Sequence, residues 1–408
     1  PVLNGQTCWQ VEKADVLVYD AWASGTGASD LTDSLRDLHP DRDLGWAGRV
    51  IDTIKLRAGL LLERAPSVYT FPHRTFQEYL AGAHLAAAEK FAAKAHKLAE
   101  AGASWREVIL LAVSKLVHQG GDTDKPLALA AELCPAREAT SSQAWQKAWL
   151  AGEVLEEVGL NRAGETNLGL DLLRRVRGRL AKLLTAGALT PVERAAAGVT
   201  LGRLGDPRPG VGLTKDGLPD VDWISIPEGA FPMGNDKPEA RYGDETPRFT
   251  CQLIRQPYRI SRYPVTVAQY QAFVDAGGYA QRKWWTEARA AGFWHQGEVK
   301  GHYWGGKDWQ EEWRKDPGDS GGVFRCLNHP IVDVNWFEAL AFCRWLSEQL
   351  KEEVTLPTEA QWERAARHTD GRLYPWANAD ADVAQRCNMD ATGIGHTCAV
   401  GMIPNGLA

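Results

Sequence analysis

The run Gly205-Asp206-Pro207-Arg208-Pro209-Gly210 divides the chain. Proline lacks an amide donor and its ring clashes with the preceding turn, so two prolines and two glycines within six residues end any helix that reaches them. Upstream, from about residue 91, Ala and Leu recur at helical spacing; downstream of about residue 220, Trp, Gly and Pro rise sharply. At 408 residues the chain exceeds the usual size of one hydrophobic core. Four regions are therefore expected: 1–90, where short apolar runs alternate with Gly and Asp breaks; 91–205, an α-helical bundle or degenerate repeat arm; 206–220, a linker; and 221–408, a domain of short strands, helices and loops.

Charge and cysteine usage narrow the function classes. Lys and Arg number 46 against 52 Asp and Glu, a net charge of −6 with no long like-charge block, so no dedicated nucleic-acid surface is expected. No stretch approaches the roughly 18–20 apolar residues of a membrane span. The seven cysteines (Cys8, Cys134, Cys251, Cys326, Cys343, Cys387, Cys398) are odd in number and contain no Cys-x-x-Cys pair, which fits a reducing cytoplasm better than a disulfide framework or a zinc ribbon. The chain opens Pro1-Val2-Leu3 without an initiator Met or a signal-peptide pattern, and both ends read as cuts within a longer polypeptide.

In the first region, Ile51, Ile54 and Leu60-Leu61-Leu62 lead through Val68-Tyr69-Thr70-Phe71 into a second amphipathic segment, the order helix, short hairpin, helix. Thr75 and Glu78 have the spacing of a capping box, and Phe76, Tyr79, Leu80 and Ala83 are expected on one buried face of a helix reaching about Leu98. The strings Leu60-Leu61-Leu62-Glu63 and Tyr69-Thr70-Phe71-Pro72-His73-Arg74-Thr75-Phe76-Gln77-Glu78-Tyr79-Leu80 resemble the winged-helix end of bacterial NACHT-type signal-transduction NTPases. The resemblance implies an upstream NTPase module in the full-length protein. No Gly-x-x-x-x-Gly-Lys-Ser/Thr loop occurs in this chain, so nucleotide hydrolysis is not expected of it alone.

In the helical region, Ser104 is the expected cap of a helix burying Trp105, Val108, Ile109 and Ala112. Thr190-Pro191-Val192-Glu193 combines a cap, Pro at the first helical position and the reciprocal Glu. Arg174, Arg175, Arg177 and Arg179 read as a solvated helix face.

Beyond the break, Trp223-Ile224-Ser225-Ile226 and Phe231-Pro232-Met233 read as two strands joined by a Pro-Glu-Gly turn. Tyr258 to Ser261 is a strand leading to a helix capped by Thr266 and Gln269, with Tyr270, Phe273 and Val274 inward and Gly277-Gly278 at its end. His329 to Val334 reads as a short strand. Asn335 and Glu338 cap a helix with Trp336, Ala339, Leu340, Cys343, Leu346 and Leu350 as its expected apolar face; Thr358 and Gln361 cap another, with Trp362, Ala365 and Ala366 inward.

Ile226-Pro227-Glu228-Gly229 with Met233-Gly234, Pro264-Val265-Thr266, His329-Pro330 with Asn335-Trp336, Leu356-Pro357-Thr358-Glu359-Ala360-Gln361-Trp362-Glu363 and Tyr374-Pro375-Trp376, in this order, resemble the formylglycine-generating-enzyme (sulfatase-modifying-factor) family. The resemblance implies a C-type-lectin-like fold, with little regular structure and long packed loops. The expected fold class is thus multidomain: a winged-helix-like and all-α helical N-terminal region followed by an α+β C-type-lectin-like domain that this chain carries incompletely.

What the resemblance implies for chemistry is limited. In catalytic members the copper-binding, thiol-reactive cysteine pair lies near the end of the domain, beyond the segment matching Gly401 to Gly406. None of the seven cysteines matches it, so no catalytic residue is carried over. Asn388-Met389 aligns with the ligands of a structural calcium site in the family, with Thr392 where an aspartate is expected and Asp390 as a substitute; the alternative is an Asx-type turn. Trp284, Trp285, Trp294, Trp304, Trp309 and Trp313 crowd about thirty residues. Either they form a loop that meets a ligand, with Trp284, Trp285, Trp304 and Trp309 as anchors, or the insertion packs on itself. His295, His302 and His329 lack metal-ligand spacing.

The expected function is a non-catalytic ligand-recognition (sensor) region of a NACHT-type signalling or defence protein. A protein or small molecule is its expected ligand, and retroelement-diversified relatives extend the expectation to a variable receptor. The alternatives are a formylglycine-generating-type oxidase whose thiols lie outside this stretch, and a scaffold built on the helical arm; fold resemblance does not choose among them.

Overall fold

The computed structural model describes residues 74–138, 140–236, 245–304, 308–318, 320–376 and 383–406, and before these only residues 2–3, 6–7, 26–27, 45, 49, 62–65 and 68–70. Much of the region expected to be winged-helix-like, residues 1–90, therefore lies outside the described residues. The chain forms two compact units, Pro1–Val176 and Arg177–Ala408.

In the first unit, β1 (Val2–Leu3) pairs with β2 (Gln6–Thr7), and β3 (Thr26–Gly27), β4 (Leu62–Ala65) and β5 (Val68–Thr70) form an antiparallel sheet in the order β3-β5-β4. Among the described residues six α-helices follow: α1 (Arg74–Ala86), α2 (Phe91–Ala101), α3 (Arg106–Ser114), α4 (Asp124–Leu133), α5 (Ser142–Val158) and α6 (Leu160–Gly164). The single helix expected to reach Leu98 is two. Ala87 and Ala88 close α1 with bonds to His84 O and Leu85 O, and the break lets Phe91 and Ala95 start a new buried face. The Thr75 cap is also absent: the helix starts at Arg74, whose Nε donates to Glu78 Oε1 at 2.8 Å.

The buried side of α1 is Gln77, Glu78, Ala81, Gly82, Leu85 and Ala86, while Phe76 and Tyr79 are 38% and 43% exposed. Gly82 explains the choice. A Cβ there would lie 2.9 Å from Leu111 Cβ and 3.0 Å from Val108 O, so α1 meets α3 nearly backbone to backbone, an approach that the aromatic face would prevent. Ser104 makes no cap bond, but Trp105, Val108, Ile109 and Ala112 are buried as the spacing predicts.

In the second unit, the end of α7 (Asn167–Thr185) lies beside α8 (Pro191–Leu204), where Arg177 Nε donates to Leu204 O at 2.7 Å. Thr190 and Glu193 form the predicted capping box on α8, with Pro191 at the first position. The stretch read as linker is built into this unit. Arg208 pairs with Asp206 at 2.7 Å, both side chains nearly buried, and Val211 O accepts from Thr266 Oγ1 at 2.7 Å. The helix ends at Gly205 as the prolines require, yet the chain turns back onto its own core.

Four strands then form two ladders: β6 (Trp223–Ile226) with β9 (Tyr258–Ser261), and β7 (Phe231–Met233) with β8 (Phe249–Cys251). The predicted hairpin is thus corrected: β6 and β7 are strands, but each pairs with a partner further along the chain. The predicted strand over 329–334 is only an isolated bridge between Thr266 and Pro330. α9 (Val267–Asp275), α11 (Trp336–Leu350) and α12 (Glu359–Arg367) carry the capping boxes predicted at Thr266, Asn335 and Thr358. Between α9 and α11 lie α10 (Thr286–Ala290), β10 (Trp294–His295), β11 (Glu298–Trp304) and β12 (Trp309–Arg314), the strands in one antiparallel sheet. The main core joins Tyr270 and Phe273 of α9, Tyr279, Trp284, Trp285 and Val299, and Ala341, Phe342, Trp345 and Leu346 of α11. Each such ring contributes on the order of 3 kcal/mol by burial.

Candidate functional site

The tryptophan-rich insertion splits into a buried and an exposed part. Trp284 and Trp285 are buried; Trp285 Nε1 donates to Gly278 O at 2.9 Å and Trp284 Nε1 to Glu348 Oε2 at 3.3 Å. A buried indole needs a partner for its N–H, and both have one, so these two candidate anchors are core residues. Trp304 and Trp309 face each other in the β11–β12 ladder; their side chains lie outside the described residues.

A buried polar network fixes the hairpin to α11. Glu338, fully buried, accepts from Tyr279 Oη at 2.6 Å, from the Asn335 amide at 2.7 Å and from Arg314 Nη2 at 2.5 Å. Burial pushes the Glu338 carboxyl up, and the Arg314 guanidinium opposes that shift. Burial also pushes the Tyr279 phenol up, which keeps it a proton donor to Glu338. Gly301 and Gly318 leave room for Arg314: a Cβ on the first would lie 2.8 Å from its Cζ, and on the second 2.6 Å from its Nη1. Such a pair tolerates removal of neither partner, because the survivor is a buried, uncompensated charge.

Strand alternation sends Arg314 inward and Trp313 outward. Opposite Trp313 is Lys300, and opposite Glu311 is His302, so these four share the outer face. Lys300 Nζ lies 2.6 Å from Glu311 Oε2 and 6.0 Å from the Phe293 ring centroid. Phe293 contacts Phe337 at 4.9 Å between centroids, and Phe337 meets Trp336 edge-on at 5.3 Å. The result is an aromatic and charged surface on which Trp313 is 46% and Trp336 55% exposed. Trp336, expected on the apolar face of its helix, instead faces out. The capping box holds the contrary signal: with Glu338 buried, the residue two before it is about 200° away around the helix and must face out. Trp362, at 62% exposure between buried Ala360 and Arg364, follows the same rule.

Of the six described thiols, those of Cys387 and Cys398 are half-buried and the other four, Cys134, Cys251, Cys326 and Cys343, are buried. Burial pushes the thiols of Cys343 and Cys398 up to about 11. Cys343 lines a cleft of about 560 Å³ between the β6–β9 ladder and α11. A nucleophilic thiol needs the opposite shift.

At the calcium candidate, Asn388 Nδ2 donates to His396 O at 2.7 Å, and the Thr392 hydroxyl lies 3.2 Å from Asn388 Oδ1 and 2.7 Å from Met389 O. Asp390 opens a short 3₁₀ turn that Gly393 closes at φ 71°. Calcium draws six or more oxygens, with carboxylates among them. Here the two aligned oxygens converge on a hydroxyl, and among the described residues no three His, Cys, Asp or Glu side chains gather at one point. These hydrogen bonds make the segment a side-chain-bonded turn. Of the three histidines, His295 and His302 are exposed and His329 is buried.

Comparison with known proteins gives this geometry a family setting. Residues 214–395 match the sulfatase-modifying factor enzyme 1-like domain, starting inside the stretch that packs as part of the second unit. Residues 41–85 match the winged helix-turn-helix domain C-terminal to NACHT. The mouse formylglycine-generating enzyme is 32% identical over 201 residues, covering 46% of this chain and 47% of that protein. The bovine inactive C-alpha-formylglycine-generating enzyme 2 is 30% identical over 173 residues, covering 39% and 53%. The formylglycine-generating enzyme of Thermomonospora curvata is 34% identical over 188 residues, covering 41% and 56%. The chain spans about half the length of these curated relatives. Residues 214–395 are accordingly a sulfatase-modifying factor enzyme 1-like domain, and residues 41–85 a winged helix-turn-helix domain of the kind found C-terminal to NACHT.

Proposed function

We propose that the sulfatase-modifying factor-like domain is the ligand-recognition part of a cytoplasmic NACHT-type signalling or defence protein. The observation that carries this reading is the outer face of the β11–β12 hairpin and the adjoining start of α11, where Trp313 and Trp336 are held in solvent while the Arg314–Glu338 pair between the two elements is turned inward. Large rings kept exposed on a rigid support are what a binding surface offers, since little side-chain entropy is lost on contact. Thiols pushed up by burial and a relative named as inactive also favour recognition over oxidation. The winged-helix match supports an upstream NTPase module as the part that responds when the ligand binds.

A thermal-shift screen of the chain against protein, peptide and small-molecule ligands tests the proposal. Ligands that raise the melting temperature of the native chain are expected to lose that effect in Trp313→Ala and Trp336→Ala. Hits indifferent to both substitutions would sink it.

A second reading rests on the two relatives named formylglycine-generating enzyme. The domain would then oxidise a protein cysteine with thiols supplied outside this stretch. Copper-dependent appearance of an aldehyde on a cysteine peptide, trapped with a hydrazine reagent, would favour it over the sensor.

A further inference from the structure

Beside α10, the β10–β11 turn borders a cleft of about 560 Å³ lined by Arg282, Thr286, Arg289, Trp294 and His295. Every ionisable side chain in its wall is basic. The acids nearby are committed elsewhere: Glu287 to Arg344, Glu348 to Lys283 at 2.7 Å, and Glu298 to Lys315 at 3.7 Å. Among the described residues Arg282 and Arg289 make no ion pair, so a chain of net charge −6 here concentrates two uncompensated guanidinium groups on one concavity.

The aromatic wall is rigid. Trp294 Nε1 donates to Tyr279 O at 2.9 Å, and one face of its ring stacks on buried Trp285, with centroids 6.4 Å apart and planes 20° apart. The half-buried ring borders the cleft. Gln296 and Gly297, both at positive φ (49° and 89°), make the tight hairpin turn that sets His295 beside it.

We propose that this cleft binds a phosphate monoester carried on a flat ring. Guanidinium forks match tetrahedral oxyanions, with the Thr286 hydroxyl and the His295 imidazole as further donors and Trp294 as the stacking surface for the ring. Charge selects phosphate: a monoester carries about −1.5 to −2 near neutral pH, matching two fixed cations, whereas a sulfate ester or a carboxylate brings a single charge. The inference is separate from the proposed function, because the cleft would be present in a sensor and in an oxidase alike.

The test is calorimetric titration of the whole chain with phenyl phosphate at low salt. Saturable binding is expected, at least about tenfold tighter than phenyl sulfate, benzoate or inorganic phosphate, and weakened about tenfold or more in Arg282→Ala/Arg289→Ala. Both arginines are exposed and without ion-pair partners, so the melting temperature of that variant is expected to stay put, which separates lost binding from lost folding. Trp294→Leu is expected to lower phenyl phosphate affinity to that of inorganic phosphate. Absence of saturable binding, equal affinity in the double arginine variant, or phenyl sulfate or benzoate binding as well as phenyl phosphate would each overturn the assignment.

Discussion

His329 shows what a single buried side chain contributes. Its ring is fully buried, with Nδ1 3.0 Å from Thr397 Oγ1, Nε2 without a partner among the described residues, and His396 stacked at 6.5 Å between centroids. Burial first, and the neighbouring His396 second, push its pKa down to about 4 from 6.5. The sign follows by linkage. The unfolded chain takes up a proton below about pH 6.5 that the folded chain refuses until about pH 4, so stability is full above that window and falls as pH drops through it. The expected loss between pH 7 and pH 5 is about 2 kcal/mol, read as a lower urea midpoint. His329→Gln is expected to flatten the profile; an unchanged slope in that variant would assign the acid sensitivity to other groups.

Among the elements, α8 owes its place to small residues. Asn328 Nδ2 donates to Gly198 O at 3.0 Å and to Asp206 Oδ2 at 2.9 Å, and a Cβ on Gly202 would press on Asn328 and lie 2.6 Å from Cys326 Sγ. Two effects compete in Gly202→Ala. Helix propensity favours Ala by about 1 kcal/mol, while forcing a methyl against the packed Asn328 and Cys326 side chains costs about 1–3 kcal/mol. The steric term is the larger, so a net loss of about 1 kcal/mol is expected. Gly178→Ala in α7, where a Cβ meets nothing within 4 Å, is expected to gain stability. Paired urea titrations check both, and a stabilised Gly202→Ala would show that α8 is held less closely than described. A Gly-x-x-x-Gly spacing at 198 and 202 is visible in the sequence, but only its partner loop turns it into a contact.

Across the whole molecule, the buried cysteines among the described residues behave as small apolar residues. Cys134, Cys251, Cys326 and Cys343 are buried in separate parts of the chain. Alkylation of the native protein at pH 8, followed by mass spectrometry, is expected to leave these four unmodified until denaturant opens the fold. Rapid labelling of Cys343 would reopen the cleft it lines to thiol chemistry. Among the described residues no helix is long and apolar enough to cross a membrane. The −6 net charge likewise averages over a local cluster of unpaired arginines, which is why the bulk charge did not disclose the cleft beside α10.

Where the physics is local, the sequence mostly sufficed, with the expected caps at Thr75 and Ser104 as the exceptions. The capping boxes at Thr190, Thr266, Asn335 and Thr358 are complete within three residues, and each starts a helix where the spacing placed it. The motifs of the sulfatase-modifying factor-like domain and of the winged helix were likewise legible as strings. Facing and pairing were decided elsewhere. Strand β6 found β9 and not β7, α1 turned its glycine inward and left its aromatic residues exposed, Trp284 and Trp285 went to the core, and Trp313 and Trp336 stayed in solvent. A cap depends on atoms a few bonds away, whereas burial depends on which distant surface arrives, and that is settled only when the chain has packed.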